Sequence, residues 1–407
     1  MDGETMTKRK ILICDDSPEV GGSYKKKVEG INAIKGAFEE PILASQEELG
    51  QAVEALEKRR QLANDSKIND YPNGDAARII DDVAILIVDY ALYDLDAQVT
   101  GERIAYLARC YSRCGLIVAL NQFPPYNDEY FDLTLRGHLE SYADLNIPSN
   151  SLANLGLWSE PWGGFRSWSW PLLPQAIDKL ERRSTELREH LDEKILDFLE
   201  FKGAKALSLP RSIVGFLSRK KPEETTFREF VDSEGSGNGL RGRNERPIND
   251  EAIARIAAAR IGCWLEYDVL PAQNIIVDAP HLISRFPSLL GDRTQDIEIW
   301  NRTASFSEPN VIGLDPKIEP YRFKRSDWLS RPTWFWNDLS DSEEIAEVRD
   351  PWSAKTPDYV FGEDISKFTP NDDARSFVAD LESPFVRRYV KYLGPPISYT
   401  PLVRFSL

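Results

Sequence analysis

Three aspartates follow short apolar runs in the first hundred residues of the sequence. Asp15 and Asp16 come directly after the run at residues 11–14, and Asp89 comes directly after the run at residues 83–88. A lone aspartate after a strand is commonly a turn residue or a helix N-cap. Three carboxylates at the ends of two buried strands instead favour a shared site, because open α/β sheets bind their ligands at the carboxyl ends of their strands.

The elements that must position these aspartates alternate between strand and helix. Apolar runs at residues 11–14, 83–88 and 116–120 predict buried strands. Between the first two runs, Ser45 and Glu48 form a capping box that predicts the start of a helix. A second helical pattern begins at Gly101 and lies between the second and third runs. This order predicts a mainly parallel sheet with right-handed crossovers.

An acidic pair after the first strand, an aspartate after a later buried strand and a glycine that opens the next helix together resemble the receiver domains of response regulators. The resemblance implies a doubly wound, parallel, five-stranded, flavodoxin-like α/β domain. It also implies that Asp89 is the phosphoacceptor, and that Asp15, Asp16, Asp89 and the backbone carbonyl of Ala91 hold Mg²⁺. A hard divalent cation takes several oxygen ligands and neutralises the charge that gathers on a transferred phosphoryl group.

Two positions depart from the receiver pattern. The family has a Thr or Ser after its fourth strand, where this sequence has Asn121, whose amide could contact a phosphoryl oxygen. We predict the fifth strand at residues 155–158, after an insertion through roughly 124–151, which puts Glu160 where the family has a Lys. A carboxylate cannot pair with a phosphoryl group, so the resemblance is to an atypical receiver, or to a pseudo-receiver that acts without phosphorylation.

The remaining chain suggests three further parts after a receiver-like domain at 1–173. Residues 174–201 carry apolar side chains at helical spacing, which predicts a long connector helix. That helix could form a homodimeric coiled coil, or it could lie on the C-terminal domain as an extended last receiver helix. Residues 202–248 form a basic, glycine-containing linker, in which nucleic-acid contact through 202–246 is a less favoured alternative. Residues 249–407 form an α+β output domain of no recognised family.

The output domain contains one pair of residues that could serve catalysis. A helix is predicted from 249 to 270, and a strand at 275–277 is followed by a loop with Asp278 and His281. No Ser or Cys nucleophile with a recognisable elbow accompanies this pair, so a structural histidine is the simpler interpretation. The clearest helix near the C-terminus is predicted at residues 385–392.

The composition limits the classes of function. Among 407 residues the formal net charge is −16, which argues against a chain that coats nucleic acid indiscriminately. No apolar run is long enough to span a bilayer, so we expect a cytoplasmic protein that does not insert in membranes.

We therefore expect an atypical response regulator whose partner is a histidine kinase or another signalling protein, with an output that binds rather than catalyses. One alternative is a receiver-regulated enzyme or nucleic-acid-acting effector whose site lies in the C-terminal half. The other is a non-catalytic scaffold in a multiprotein complex.

Overall fold

The computed structural model describes most of the chain in several stretches. These are residues 8–31, 34–92, 99–121, 131–132, 141–159, 164, 172–203, 205, 209–232, 245–286, 289–290, 294–303, 318–340, 342, 358–377, 388–391 and 397–398.

The first half of the chain is built on a parallel sheet of five strands. They are β1 (Ile11–Cys14), β2 (Ile42–Leu43), β3 (Ile85–Asp89), β4 (Leu116–Asn121) and β6 (Leu145–Pro148). Their order is β2-β1-β3-β4-β6, and every neighbouring pair is parallel. Strands β1, β3 and β4 are buried along their whole length, as continuous apolar runs predict. The predicted α/β class and its parallel sheet are confirmed.

Four helices accompany this sheet, and polar side chains cap three of them. The helices are α1 (Pro18–Glu29), α2 (Gln46–Asn64), α3 (Arg78–Asp81) and α4 (Gly101–Tyr111). The Ser45 side chain accepts from the Glu48 N–H while Glu48 accepts from the Ser45 N–H, so the predicted capping box is present. Thr100 accepts from the Arg103 N–H and starts α4 beside the predicted Gly101. We call these strands and helices the sheet unit.

The prediction of the fifth strand at residues 155–158 is wrong. Residues Leu155–Leu157 form a 3-10 helix, and the strand beside β4 is β6, which lies inside the predicted insertion. The sequence Leu-Asn-Ile-Pro looks like a turn rather than a strand because it is short and contains Asn and Pro. An edge strand tolerates Pro148 because its outer side needs no ladder hydrogen bond.

The second half of the chain is mainly helical up to residue 303. Its helices are α5 (Leu173–Leu187), α6 (Ile195–Phe198), α7 (Arg211–Val214), α8 (Phe227–Asp232), α9 (Asp250–Trp264), α10 (Ala279–Arg285), α11 (Thr294–Thr303) and α12 (Trp336–Ser340). A π-helical turn at Leu265–Val269 extends α9, so the predicted helix over 249–270 is largely confirmed. Short 3-10 turns lie at Ser149–Ala153, Pro222–Glu224, Glu319–Tyr321, Ser326–Trp328 and Asn371–Asp373.

The remaining strands form small sheets. Strand β5 (Phe131–Asp132) pairs with β13 (Ile397–Ser398), and β7 (Ile276–Asp278) pairs with β8 (Thr333–Phe335). A mixed sheet has the order β10-β9-β12-β11, with the strands β9 (Tyr359–Gly362), β10 (Lys367–Pro370), β11 (Arg375–Phe377) and β12 (Arg388–Val390). The helix predicted at 385–392 is wrong for residues 388–390, which form a strand, while residues 385–387 and 392 lie outside the described residues.

The connector predicted as one helix over 174–201 is shorter in the structure. Helix α5 ends at Leu187, and the chain beyond it contacts residues 225–228, where Ile195 donates to the Thr225 carbonyl and Arg228 to the Leu191 carbonyl. The apolar residues proposed for a coiled coil are buried within the chain: Ile177, Leu180, Leu187, Leu191, Phe198 and Phe201. A homodimer through this surface would have to unpack the chain's own core.

The two halves share one hydrophobic core. Side chains of β1, β3 and β4 belong to the same buried cluster as those of α5 and α9, although the sequence placed α9 in a separate C-terminal domain. A second, smaller cluster surrounds Trp300, Trp334 and Phe361. The larger hydrophobic core therefore continues past residue 249, where the C-terminal domain was predicted to begin.

Helices α5 and α9 pack along the amino-terminal edge of the parallel sheet. Arg9, which precedes β1, forms an ion pair of 2.5 Å with Asp178 of α5. Arg255 of α9 donates at 2.5 Å to the carbonyl of Ser112, which lies between α4 and β4. The second half is thus attached at the edge opposite to the three aspartates.

Candidate functional site

Asp15 and Asp89 lie at the carboxyl ends of neighbouring strands. Strands β1 and β3 are parallel, with Cys14 opposite Val88, so the two aspartates follow paired positions. Each carboxylate is held on one side by a backbone N–H two residues later: Ser17 donates to Asp15 Oδ1 at 2.8 Å, and Ala91 donates to Asp89 Oδ2 at 3.0 Å. The predicted convergence of these two residues is confirmed.

The other oxygen of each carboxylate is buried without a hydrogen-bond partner. These atoms are Asp15 Oδ2 and Asp89 Oδ1. Burial raises the pKa of Asp89 to about 6, and repulsion from Asp15 and Asp16 adds to the increase, while the Ala91 N–H opposes it. Burial and the charge of Asp16 also raise the pKa of Asp15. Negative charge at this site is incompletely balanced, which favours binding of a cation or a proton.

Asp16 is the third member of the predicted acidic triad. It is buried, and its backbone carbonyl accepts a hydrogen bond from the Gln46 side chain. Within the described residues, no group of three His, Cys, Asp or Glu side chains is arranged to hold a metal ion. The unpaired oxygens of Asp15 and Asp89 nevertheless have the donor chemistry that Mg²⁺ prefers, so these two residues are the ones that could hold it.

Glycine is required where α4 approaches Asp89. A Cβ placed on Gly101 would lie 2.2 Å from the Asp89 carbonyl oxygen, and the Gly101 N–H donates at 3.0 Å to the Tyr90 carbonyl. Any side chain at this position would push the start of α4 away from the end of β3. The glycine expected at position 101 from the resemblance therefore has a steric reason.

The residues after the fourth and fifth strands are uncharged. Asn121 ends β4 beside the strand that carries Asp89, and its amide donates to the side chain of Asn146 on β6. Ser149 is the first residue after β6. Glu160 itself lies outside the described residues, as do the basic linker residues 233–244.

Sequence reasoning missed one buried side chain near the aspartates, that of Tyr24 on α1. Its hydroxyl makes a hydrogen bond with the Ser149 side chain. Burial raises the pKa of Tyr24, and the charges of Asp89 and Asp15 raise it further, so all three groups lie in one electrostatic environment. The available signal was spacing, because Tyr24 shares a helix face with Gly21 and Val28 and is buried with them.

Asp278 and His281 have a structural role in the second half of the chain. Asp278 is the N-cap of α10, where it accepts from the His281 N–H, and the predicted loop is therefore a helix. Arg388 donates to both Asp278 oxygens at 3.0 Å. Although burial disfavours the charged carboxylate, Arg388 and Arg331 lower the pKa of Asp278 well below its usual range. An aspartate held in this way is a poor general base.

Comparisons with known proteins do not assign the chain to a family. No family model, curated protein or solved structure matches it. In the described part of the chain, no helix is both long enough and apolar enough to cross a membrane.

Proposed function

We propose that this chain is an atypical response regulator whose sheet unit accepts a phosphoryl group on Asp89. The observation that carries the proposal is the pairing of Asp15 and Asp89 at the carboxyl-terminal edge of a parallel sheet, each with one buried, unpaired oxygen. Such an edge is where open α/β sheets bind phosphate-containing ligands. The excess of negative charge at the site suits a cation-assisted phosphoryl transfer.

The strand order supports the same function. The order β2-β1-β3-β4-β6 corresponds to the order 2-1-3-4-5 of flavodoxin-like folds, which receiver domains share. In this order the winding of the chain across the sheet reverses between β1 and β3, and a crevice opens between their carboxyl ends. Asp15 and Asp89 lie at that reversal.

The hydrogen bonds around Asp89 indicate which of its oxygens would react. Ala91 donates to Oδ2, which leaves Oδ1 as the nucleophile. In the transfer, a bond forms between Oδ1 and the phosphorus of the donor, while the bond from phosphorus to the leaving oxygen breaks in line with it. With a pKa of about 6, Asp89 is mostly ionised at neutral pH and can attack without a base. Bound Mg²⁺ would neutralise charge on the transferred group.

The side chains that would contact the phosphoryl group must differ from those in ordinary receivers. Asn121 ends β4 and Ser149 follows β6, and both side chains are neutral hydrogen-bond donors. Neutral donors stabilise a phosphoryl oxygen less than a cation does. We therefore propose a weaker coupling between phosphorylation and conformation, in a protein whose kinase or other signalling partner acts at the aspartate edge.

Intact-mass analysis after incubation with acetyl phosphate and Mg²⁺ tests this function. Wild-type protein should gain one phosphoryl mass, and Asp89→Asn should gain none. The matched control is Asp372→Asn, an exposed aspartate of the second half, which should be modified like wild type. No added mass in wild-type protein that is folded by circular dichroism would remove the phosphoacceptor function and leave the scaffold alternative.

A further inference from the structure

A cavity of about 130 Å³ lies where the sheet unit meets the second half of the chain. Its walls come from α5, α9, the amino-terminal ends of β4 and β6, and residues 328 and 330. Most of the side chains that line it are apolar, including Leu116, Leu145, Ala176 and Trp328. The acidic site is at the opposite edge of the sheet, so the cavity is separate from it.

The cations that line the cavity are compensated within the chain. Lys179 of α5 donates at 2.8 Å to the carbonyl of Leu329, and Arg183, one turn later, donates to the carbonyl of Asp327. The charges of Glu266 and Asp327 attract both cations. No positive charge is left over for an anionic ligand.

The carboxylates that line the same cavity are also held. Asp144 accepts from Arg109 and, at 2.6 Å, from the Ile117 N–H. Glu266 accepts from the Ser330 N–H at 2.9 Å and from the Ser330 hydroxyl at 2.6 Å. An ion of either sign would add a buried charge that lacks a counter-ion, which is unfavourable. The ligand that suits this cavity is therefore neutral.

The cations and the tryptophan on the cavity wall favour an aromatic ligand over an aliphatic one. The Arg183 guanidinium lies over the Trp328 ring, 5.6 Å from its centre. A cation is attracted to the face of an aromatic ring, and it can make this contact while its hydrogen bonds to carbonyls stay in place. A ring beside Trp328 would also gain an aromatic pair contact, which a saturated ring of the same size does not offer.

We propose that this cavity binds a small, neutral aromatic molecule of one six-membered ring. The size follows from the volume, since a cavity of roughly 150 Å³ holds one benzene ring. The ring would pack against Leu116, Leu145 and Trp328. Gln175 and Ala176 are partly exposed, so a single small substituent such as a hydroxyl can reach water there.

The position of the cavity gives such a ligand a regulatory role. It would contact α5 and α9 together with the sheet, and so it would stabilise the packing of the two halves. This input would act without phosphorylation of Asp89. The inference therefore goes beyond the proposed function and does not depend on it.

Isothermal titration of the full chain with phenol at pH 7, where phenol is neutral, tests the proposal. Cyclohexanol is the matched ligand, because it has the same number of non-hydrogen atoms and a hydroxyl but no aromatic face. We expect phenol to bind, and cyclohexanol to bind at least about threefold more weakly. Absence of phenol binding by wild type, or equal binding of the two ligands, would overturn the proposal.

Variants that fill the cavity locate the site. Ala176→Leu on α5 and Cys263→Leu on α9 narrow the cavity from two walls, and each should weaken phenol binding about tenfold because the larger side chain occupies the space of the ring. Both positions are partly exposed, and the use of two walls keeps the test decisive if one variant fails to fold. The control is Ala153→Leu, an exposed position away from the cavity, which should bind phenol like wild type. Undiminished binding by a folded filling variant would place phenol elsewhere and refute the assignment.

Discussion

Asp15 and Asp89 follow paired positions on two parallel strands, and each has one oxygen bonded to a backbone N–H and the other buried and unpaired. This relationship combines fixed geometry with uncompensated charge. The fixed oxygens orient the carboxylates, and the unpaired oxygens are the atoms through which the site can take a cation, a proton or a phosphoryl group.

The stability of the protein should depend on pH through Asp89. Its pKa is raised to about 6 in the folded state, against about 4 in an unfolded chain. Between these values the folded state binds more protons, so the free energy of unfolding should fall as the pH rises through this window. Asp89→Asn removes this cost and should stabilise the protein by about 1–2 kcal/mol at neutral pH, allowing for solvent screening.

Urea denaturation at several pH values measures this effect. The advantage of Asp89→Asn should shrink as the pH is lowered from about 7 to about 4. Asp372→Asn is the control, and its stability should follow that of wild type. If the difference in the free energy of unfolding between Asp89→Asn and wild type stays constant over this range, the titration of Asp89 does not contribute to stability.

Mg²⁺ should stabilise the folded protein through Asp15 and Asp89. If the dissociation constant is about 1 mM, about 10 mM Mg²⁺ raises the free energy of unfolding by roughly 1.4 kcal/mol. Asp15→Asn and Asp89→Asn should each lose most of this increase, since each removes a charged oxygen ligand. Thermal melts with and without Mg²⁺ check this, and an increase of equal size in both variants would place the cation elsewhere.

Substitution of Gly101 should disturb the acidic site without touching its carboxylates. In Gly101→Ala the new Cβ meets the Asp89 carbonyl, so α4 must move, and we expect a loss of about 2 kcal/mol or more. Gly22→Ala, inside α1 with open space around it, should instead stabilise by about 0.5–1 kcal/mol. Urea denaturation compares the two, and equal effects would show that the close approach at Gly101 is unimportant.

Removal of Arg388 should destabilise the second half of the chain. Arg388 pairs with Asp278 and with Glu363, and all three side chains are buried. Arg388→Met leaves two buried carboxylates without this partner, which should cost about 3–5 kcal/mol. Lys367→Met, at an exposed position on β10, is the control and should stay within about 0.5 kcal/mol of wild type in urea denaturation. A similarly small loss for Arg388→Met would contradict a structural role for this cluster.

The sequence by itself determined the elements whose signals are local. Three of the five parallel strands are continuous apolar runs that need burial on both faces, and helix α2 begins at a capping box formed within four residues. The positions of the two aspartates could be inferred from those strands, because each aspartate lies at the carboxyl end of a strand, and that end is fixed once the strand is known. For this reason Asp15 and Asp89 could be predicted to converge.

Only the tertiary structure decided the features that depend on partners far away in the chain. Strand β6 is a strand because β4 offers it a parallel edge, and helix α5 ends at Leu187 because residues 225–228 bind the backbone that follows. Arg388 is the first residue of β12 and neutralises Asp278, 110 residues away. Local propensity is worth a few tenths of a kcal/mol per residue, and a buried ion pair or a ladder of hydrogen bonds outweighs it. These energies appear only when the chain has folded, so the sequence pattern does not reveal them.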